Sequence, residues 1–309
     1  MSAERLILCL LVAALLAMEA VTRLAEPSLS KDIAHMHTFP QLAETLAPGR
    51  AGVLVVGNSL ARCGIDPATL SEGLPGHPPV GLMVPDATAA IEWAWGYRRH
   101  VLQAGARPDR VIIMTGRTHL EDPAVVQTPR LGAFFVGGAG DRLAFLREEL
   151  DGFEEKAAFL LSSASRLFAN RGRIQPLLFY HAVPGYETAV NRINIAAGGG
   201  VTPQADAKAA DEAPLATRSR TLRNVARLID AVRESGAEPI VVTAPLPERW
   251  SLPEPVADLL RERAVRVVPL GAELALPAER FPDGYHLDPE GARLATEELV
   301  RRIGEAAPE

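Results

Sequence analysis

Read as hydrophobic and polar positions, the chain opens on a long apolar run and then settles into shorter strand-like and helix-like blocks. Leu6 to Met18 (LILCLLVAALLAM) places 13 uncharged apolar residues behind Arg5, with no polar residue on any helical face. That argues against an amphipathic surface helix. The run is shorter than the roughly 20 residues of a spanning helix and matches the apolar core of a signal peptide. Glu19, Arg23 and Glu26 spoil the positions where a small-x-small cleavage site would fall. An uncleaved signal anchor over residues 1–25 is therefore expected, with the remainder of the chain outside the cytoplasm. Residues 26–49, punctuated by Pro27, Pro40 and Pro48, read as a juxtamembrane connector.

From residue 50 onward the period changes. Gly52 to Val56 (GVLVV) is a β-branched run of strand length, as expected for a strand buried on both faces of a parallel sheet. Similar runs recur at Val80 to Val84, Arg110 to Thr115, Pro239 to Thr243 and Val265 to Val268. Between them the spacing turns helical. Ile91, Ala94, Trp95, Val101 and Leu102 share one face of a helix that Asp86 is expected to open and Gly105 and Pro108 to close. Leu222, Val225, Ile229 and Val232 do the same for a helix from Leu215 to Ser235. Further helices are expected over Pro255 to Arg263, and from Pro289 to Ile303 with Asp288 as N-cap. Strand, helix, strand in this order predicts an α/β fold, a three-layer α/β/α arrangement around a central, mostly parallel sheet. Residues 124–214 interrupt the alternation. Leu143 to Arg171 is helical by spacing, and Gly198 to Ala213 has almost nothing to bury and reads as a loop. The stretch is expected to be an insertion in an α/β domain spanning 50–309.

Composition narrows the partners. The 309 residues are 48% hydrophobic and 23% charged, with a net charge of -6 and both signs scattered. No basic block points to nucleic acid. Two cysteines, Cys9 and Cys63, build neither a disulfide framework nor a metal cluster. His35 and His37 stand at a spacing that suits a strand and have no further ligand candidates beside them, so no metal and no cofactor is expected.

The chemistry lies in two short stretches. Gly57-Asn58-Ser59-Leu60 follows the first strand and puts a hydroxyl where open α/β sheets place their ligands. Alone, that serine reads more simply as a helix cap. Far along the chain stands Phe281-Pro282-Asp283-Gly284-Tyr285-His286-Leu287, with an Asp and a His three apart in a loop. In a Ser-His-Asp arrangement the imidazole takes the serine proton while the carboxylate fixes the tautomer and stabilises the imidazolium.

Taken together, GNSL and DGYHLDPEGA resemble the blocks of the SGNH/GDSL hydrolase family over Val53 to Ile303, the middle insertion excepted. The resemblance implies Ser59 as nucleophile, His286 as general base and acid, and Asp283 as its orienter. Two blocks depart from the family. Its glycine after the second strand is replaced by Met83-Val84-Pro85-Asp86-Ala87, with Gly81 lying earlier, and its Gly-x-Asn by Gly116-Arg117-Thr118. Oxyanion donors are thus expected at Ser59, Thr118 and Asp86, with Arg117 or His119 as substitutes. The implied protein is a periplasmic, single-pass membrane-anchored serine esterase or O-acyltransferase. It would move acyl groups, by analogy acetyl, on an envelope carbohydrate or small ester, alongside envelope-assembly proteins. The departures motivate a second reading, a non-catalytic binding or scaffolding member in envelope polysaccharide assembly.

Overall fold

Strand β1 (Val53–Val56) sits between two parallel neighbours, and all of its side chains are buried. A computed structural model describes residues 2–49, 51–123, 126–175, 183–185 and 221–305. Its sheet adds β2 (Val80–Met83), β3 (Arg110–Thr115), β4 (Glu238–Thr243) and β5 (Arg266–Val268), in the order β2-β1-β3-β4-β5 with every pair parallel. Val56 lies opposite both Met83 and Ile113, so β1 and β2 end level while β3 runs two residues further, to Thr115. The chain runs outward from β1 to β2 and then returns to β3 on the other side. That reversal creates a switch point beside β1, where open α/β sheets bind ligands at the carboxyl ends of their strands.

Burial on both faces explains the continuous apolar runs. Val53, Val55, Ile112, Met114, Ile240 and Val242 form one core layer with Leu60, Leu70, Leu299 and Ile303 from flanking helices. The residues between them, Leu54, Val56, Val111, Ile113 and Val241, are equally buried on the opposite face. Helices Ala90–Tyr97 and Arg223–Glu234 pack on one another, and the second lies against β4. The three-layer α/β/α expectation holds.

The chain divides into two compact units, one of Thr38–Val125 with Thr202–Glu309 and the other of Met1–His37 with Val126–Val201. The second unit begins with a helix over Ala3–Ala25, 23 residues or roughly 35 Å at 1.5 Å per residue. This helix is longer than the apolar run alone suggested, because Glu19 and Arg23 continue it instead of ending it. It is long and apolar enough to cross a membrane, a test that a signal sequence also passes.

Several local expectations are corrected. His35 lies inside a short helix, Lys31–Met36, because Ser30 caps it by accepting from the Ile33 N–H at 3.1 Å. The helix expected from Leu143 to Arg171 is three: Ala139–Glu148, Phe153–Ala164 and Arg166–Ala169. Gly152 is extended, and the Asp151 and Gly152 N–H groups turn to Glu155 Oε2 at 3.3 Å each. Ser165 then starts the third helix by accepting from the Phe168 N–H at 3.0 Å. Asp86 does not open a helix. Ala87 has φ +51, and the helix begins at Ala90, with Glu92 accepting from the Ala89 N–H at 3.1 Å. Trp93 and Trp95 are both core residues, 0% and 3% exposed. Gly198 to Ala213, and the start of the helix expected from Leu215, lie outside the described residues.

The helical unit is held by a cluster of polar side chains. Glu19 accepts from Ser165 Oγ at 2.7 Å, Arg166 N–H at 2.9 Å and Leu167 N–H at 3.0 Å. Arg23 donates to the Ala164 carbonyl at 3.0 Å. Glu26 is buried and accepts from Asn170 Nδ2 at 2.7 Å, while His37 Nε2 meets its other oxygen at 3.1 Å. Asp32 pairs with Arg130.

Candidate active site

Ser59 owes its position to the two residues before it. A Cβ on Gly57 would stand 2.5 Å from Ala61 Cβ and 2.7 Å from the Met114 carbonyl oxygen, so only glycine lets the chain turn this close to β3. Asn58 then caps the Ser59–Gly64 helix, its Oδ1 accepting from the Leu60 N–H at 3.0 Å. Its Nδ2 donates to the Thr88 carbonyl at 3.2 Å, tying the cap to the loop after β2. Ser59 is the first residue of that helix, where a backbone N–H has no intrahelical acceptor.

Asp283 and His286 arrive from the loop before the last helix, Pro289–Gly304, which packs against the Ser59–Gly64 helix. The loop is drawn closed at its base. Asp288 N–H donates to the Arg280 carbonyl at 2.8 Å, Arg280 Nη1 reaches Asp288 Oδ2 at 3.0 Å, and Asp288 Oδ1 caps the helix through Gly291. Gly284, at φ +75, allows the tight turn between Asp283 and His286.

Within the turn, Asp283 Oδ1 accepts from the N–H groups of Tyr285 at 2.9 Å and His286 at 2.7 Å. Its Oδ2 meets His286 Nδ1 at 2.8 Å, and His286 Nε2 meets Ser59 Oγ at 2.8 Å across 227 positions of sequence. An ionised carboxylate only accepts, so the neutral ring carries its proton on Nδ1 and presents the Nε2 lone pair to the serine hydroxyl. Tyr285 packs edge-on to the imidazole, with ring centroids 5.0 Å apart.

Partial burial pushes the Asp283 carboxyl upward. The hydrogen bonds from the His286 backbone and ring and from the Tyr285 N–H outweigh it and hold the group below its ordinary value of 3.8. Cys63, on the helix that Ser59 begins, behaves oppositely. Burial above all pushes its thiol up, against the opposing pull of Arg62, and the Asp86 and Asp283 charges add to the rise. Ser59, not this thiol, faces a base.

The expected oxyanion positions are less uniform. Asp86 has its carboxylate in a two-point pair with Arg62 of the Ser59–Gly64 helix, at 2.8 and 3.1 Å. A carboxylate donates nothing, so any donor here is a backbone N–H of the loop. Ala87 beside it occupies the left-handed conformation that normally selects glycine. Gly81 is a packing residue inside β2, with Leu42 Cδ2 2.9 Å from where its Cβ would be. Thr118 follows β3, half-buried, with its carbonyl accepting from the Glu121 N–H at 3.1 Å. His119 braces that loop: its Nδ1 accepts from the Gly116 N–H at 3.2 Å and its carbonyl from the Ala90 N–H at 2.8 Å. Arg117 reaches Glu248 at 3.3 Å.

Sequence reasoning missed the frame behind Ser59. Buried Thr88 donates to the Pro85 carbonyl at 2.7 Å and accepts from Trp93 Nε1 at 2.9 Å, fixing the loop that Asn58 grips. The cap that the sequence offered to Ser59 belongs instead to Asn58, and nothing in the local pattern marked Thr88. Among the described residues, no group of three or more His, Cys, Asp or Glu side chains is placed to hold a metal ion. Two cavities, of about 390 Å³ beside β4 and β5 and about 410 Å³ between the Ala90–Tyr97 and Arg223–Glu234 helices, are lined by none of the site residues. No family model matches the chain, and no curated protein matches its sequence.

Proposed function

We propose that the chain is a serine esterase or O-acyltransferase of SGNH type, working through an acyl-enzyme on Ser59. One observation carries this reading: the continuous hydrogen-bond line from Asp283 through His286 to Ser59, at 2.8 Å for each of its two steps. As Ser59 Oγ attacks an ester carbonyl, its proton passes to His286 Nε2, and Asp283 stabilises the imidazolium. Collapse of the tetrahedral intermediate breaks the bond to the alcohol, which leaves with the proton from Nε2. Water, or a sugar hydroxyl, then gives its proton to His286 and attacks the acyl-enzyme, and Ser59 recovers its hydrogen.

The developing oxyanion needs donors. The Ser59 N–H, a backbone N–H of the Asp86–Ala87 loop and the Thr118 hydroxyl are the groups assigned to it. The Arg62–Asp86 pair and the Asn58–Thr88 bond support this assignment, because they bind that loop to the nucleophile's own turn. A substrate of acyl, chiefly acetyl, groups on an envelope carbohydrate follows the family resemblance. A single-pass anchor with the catalytic unit on the periplasmic side belongs to the same reading. Retention of the first helix is supported by Glu19 and Arg23, which serve as structural partners of the Ala164–Leu167 segment and would be lost with a cleaved leader.

The test is covalent labelling by a fluorophosphonate together with turnover of p-nitrophenyl acetate. Both are expected for the wild type and absent from Ser59→Ala. A wild-type protein that neither labels nor turns over would sink the enzyme reading and leave a binding or scaffolding role.

A further inference from the structure

The Phe153–Ala164 helix has two unlike faces. Phe159 and Ser162 are buried on one, where Gly132 leaves no room for a side chain: a Cβ there would lie 2.5 Å from Ser162 Oγ and 2.7 Å from the Phe159 carbonyl. On the other, Phe153, Ala157, Leu160, Leu161 and Ala164 follow helical spacing and form an apolar stripe. Phe153 is 85% exposed, and Leu160 and Leu161 are about half exposed. Glu154 and Lys156 flank it, so charged groups border an exposed apolar face.

The location of the stripe identifies what covers it. It ends at Ala164, whose carbonyl accepts from Arg23 of the first helix, and Glu19 accepts from the first two N–H groups of the next helix. Glu19 immediately follows Met18, the last residue of the uncharged apolar run. The corner between the two short helices is thus fixed at the level where the first helix leaves its apolar stretch. Leu6 to Val21 of that helix also turn large apolar side chains outward.

We propose that the Phe153–Ala164 helix lies in the surface layer of the same bilayer that holds the first helix, with its Phe153–Leu160–Leu161 stripe sunk to the acyl-chain boundary. The proposal rests on the reading of the first helix as a retained span. Continuity with that span favours lipid over a second protein as the cover.

The test uses the full chain with Phe153→Trp, reconstituted in phosphatidylcholine–phosphatidylglycerol vesicles whose acyl chains are brominated near the headgroup. The wild type, whose tryptophans Trp93, Trp95 and Trp250 are buried, supplies the baseline. The added fluorescence is expected to be lost in the brominated vesicles and shielded from aqueous iodide, and Leu160→Trp is expected to behave alike. Carbonate-resistant protein whose added tryptophan is quenched by iodide or ignores bromolipid overturns this proposal alone. Protein that alkaline carbonate strips from the vesicles overturns the anchor reading, and this proposal with it.

Discussion

At the scale of single residues, the weight falls on how firmly each group in the Ser59 line is committed to one role. Asp283 spends one carboxylate oxygen on two backbone N–H groups and the other on the imidazole, which fixes the ring's tautomer. Asp283→Asn keeps the shape and removes that control. In a protease triad the same change costs about four orders of magnitude in kcat, and a loss of roughly 10³–10⁴ is expected here. Turnover of p-nitrophenyl acetate, alongside an unchanged circular dichroism spectrum, measures it. The pH dependence follows from sign. A carboxyl held below 3.8 in the folded state is ionised throughout the working range, and its contribution disappears only as pH falls through that lowered value. Protonation of Asp283 is therefore expected to leave kcat/KM unaffected at every pH above 3.8. At the oxyanion, Thr118→Val should lower kcat by about 10² with KM little changed, while Thr118→Asn should retain activity. Equal kcat for the valine variant would remove Thr118 from the site.

At the scale of elements, two backbone positions decide whether the nucleophile's turn and the loop after β2 meet. Gly57→Ala forces a methyl onto Ala61 and the Met114 carbonyl, where neither neighbour is a flexible side-chain end. A destabilisation of about 1–3 kcal/mol is expected, read by denaturant unfolding, with activity lost by more than stability explains. Ala87→Gly works the other way. It relieves a left-handed alanine at φ +51 and should stabilise by up to about 1 kcal/mol. A lower melting temperature would show that the loop gains more from alanine's stiffness than it loses in strain. The same positions show what the sequence made legible. Apolar runs revealed every strand, most clearly the central β1, β3 and β4, which are buried on both faces, and also the partly buried edge strands β2 and β5. Gly-Asn-Ser and Asp-x-x-His, each weak alone, together marked the three side chains that the fold brings into one hydrogen-bonded line. Ala87 was invisible, because alanine announces no turn; its loop is framed by neighbouring Thr88, which bonds back to the Pro85 carbonyl, and by the Arg62–Asp86 pair, which spans 24 positions. The break at Gly152 was missed for a related reason: the apolar spacing runs straight through it, and only Glu155 reaching back marks the new helix start.

At the scale of the whole molecule, the chain is two compact units, and the first residues belong structurally to a segment more than 140 positions away. Glu19 is the joint. Its carboxylate is the acceptor for the Ser165 hydroxyl and for two N–H groups of the first turn of the Arg166–Ala169 helix, groups that no intrahelical carbonyl serves. Removing one charged acceptor shared among three donors costs on the order of 2–3 kcal/mol. Glu19→Ala is therefore expected to speed hydrogen exchange at the Arg166 and Leu167 amides by roughly 30-fold or more, since about 1.4 kcal/mol is a factor of ten. Glu19→Gln, which keeps one accepting oxygen without the charge, should fall between. A leader removed by processing would take Glu19 with it and impose the alanine variant's exchange rates on every mature molecule. The mature protein is accordingly expected to retain its N-terminal helix by intact mass, with both amides protected. A mature chain that begins after Arg23 yet protects those amides as well as the full chain would mean that Glu19 is only a neighbour of that helix and does not hold it.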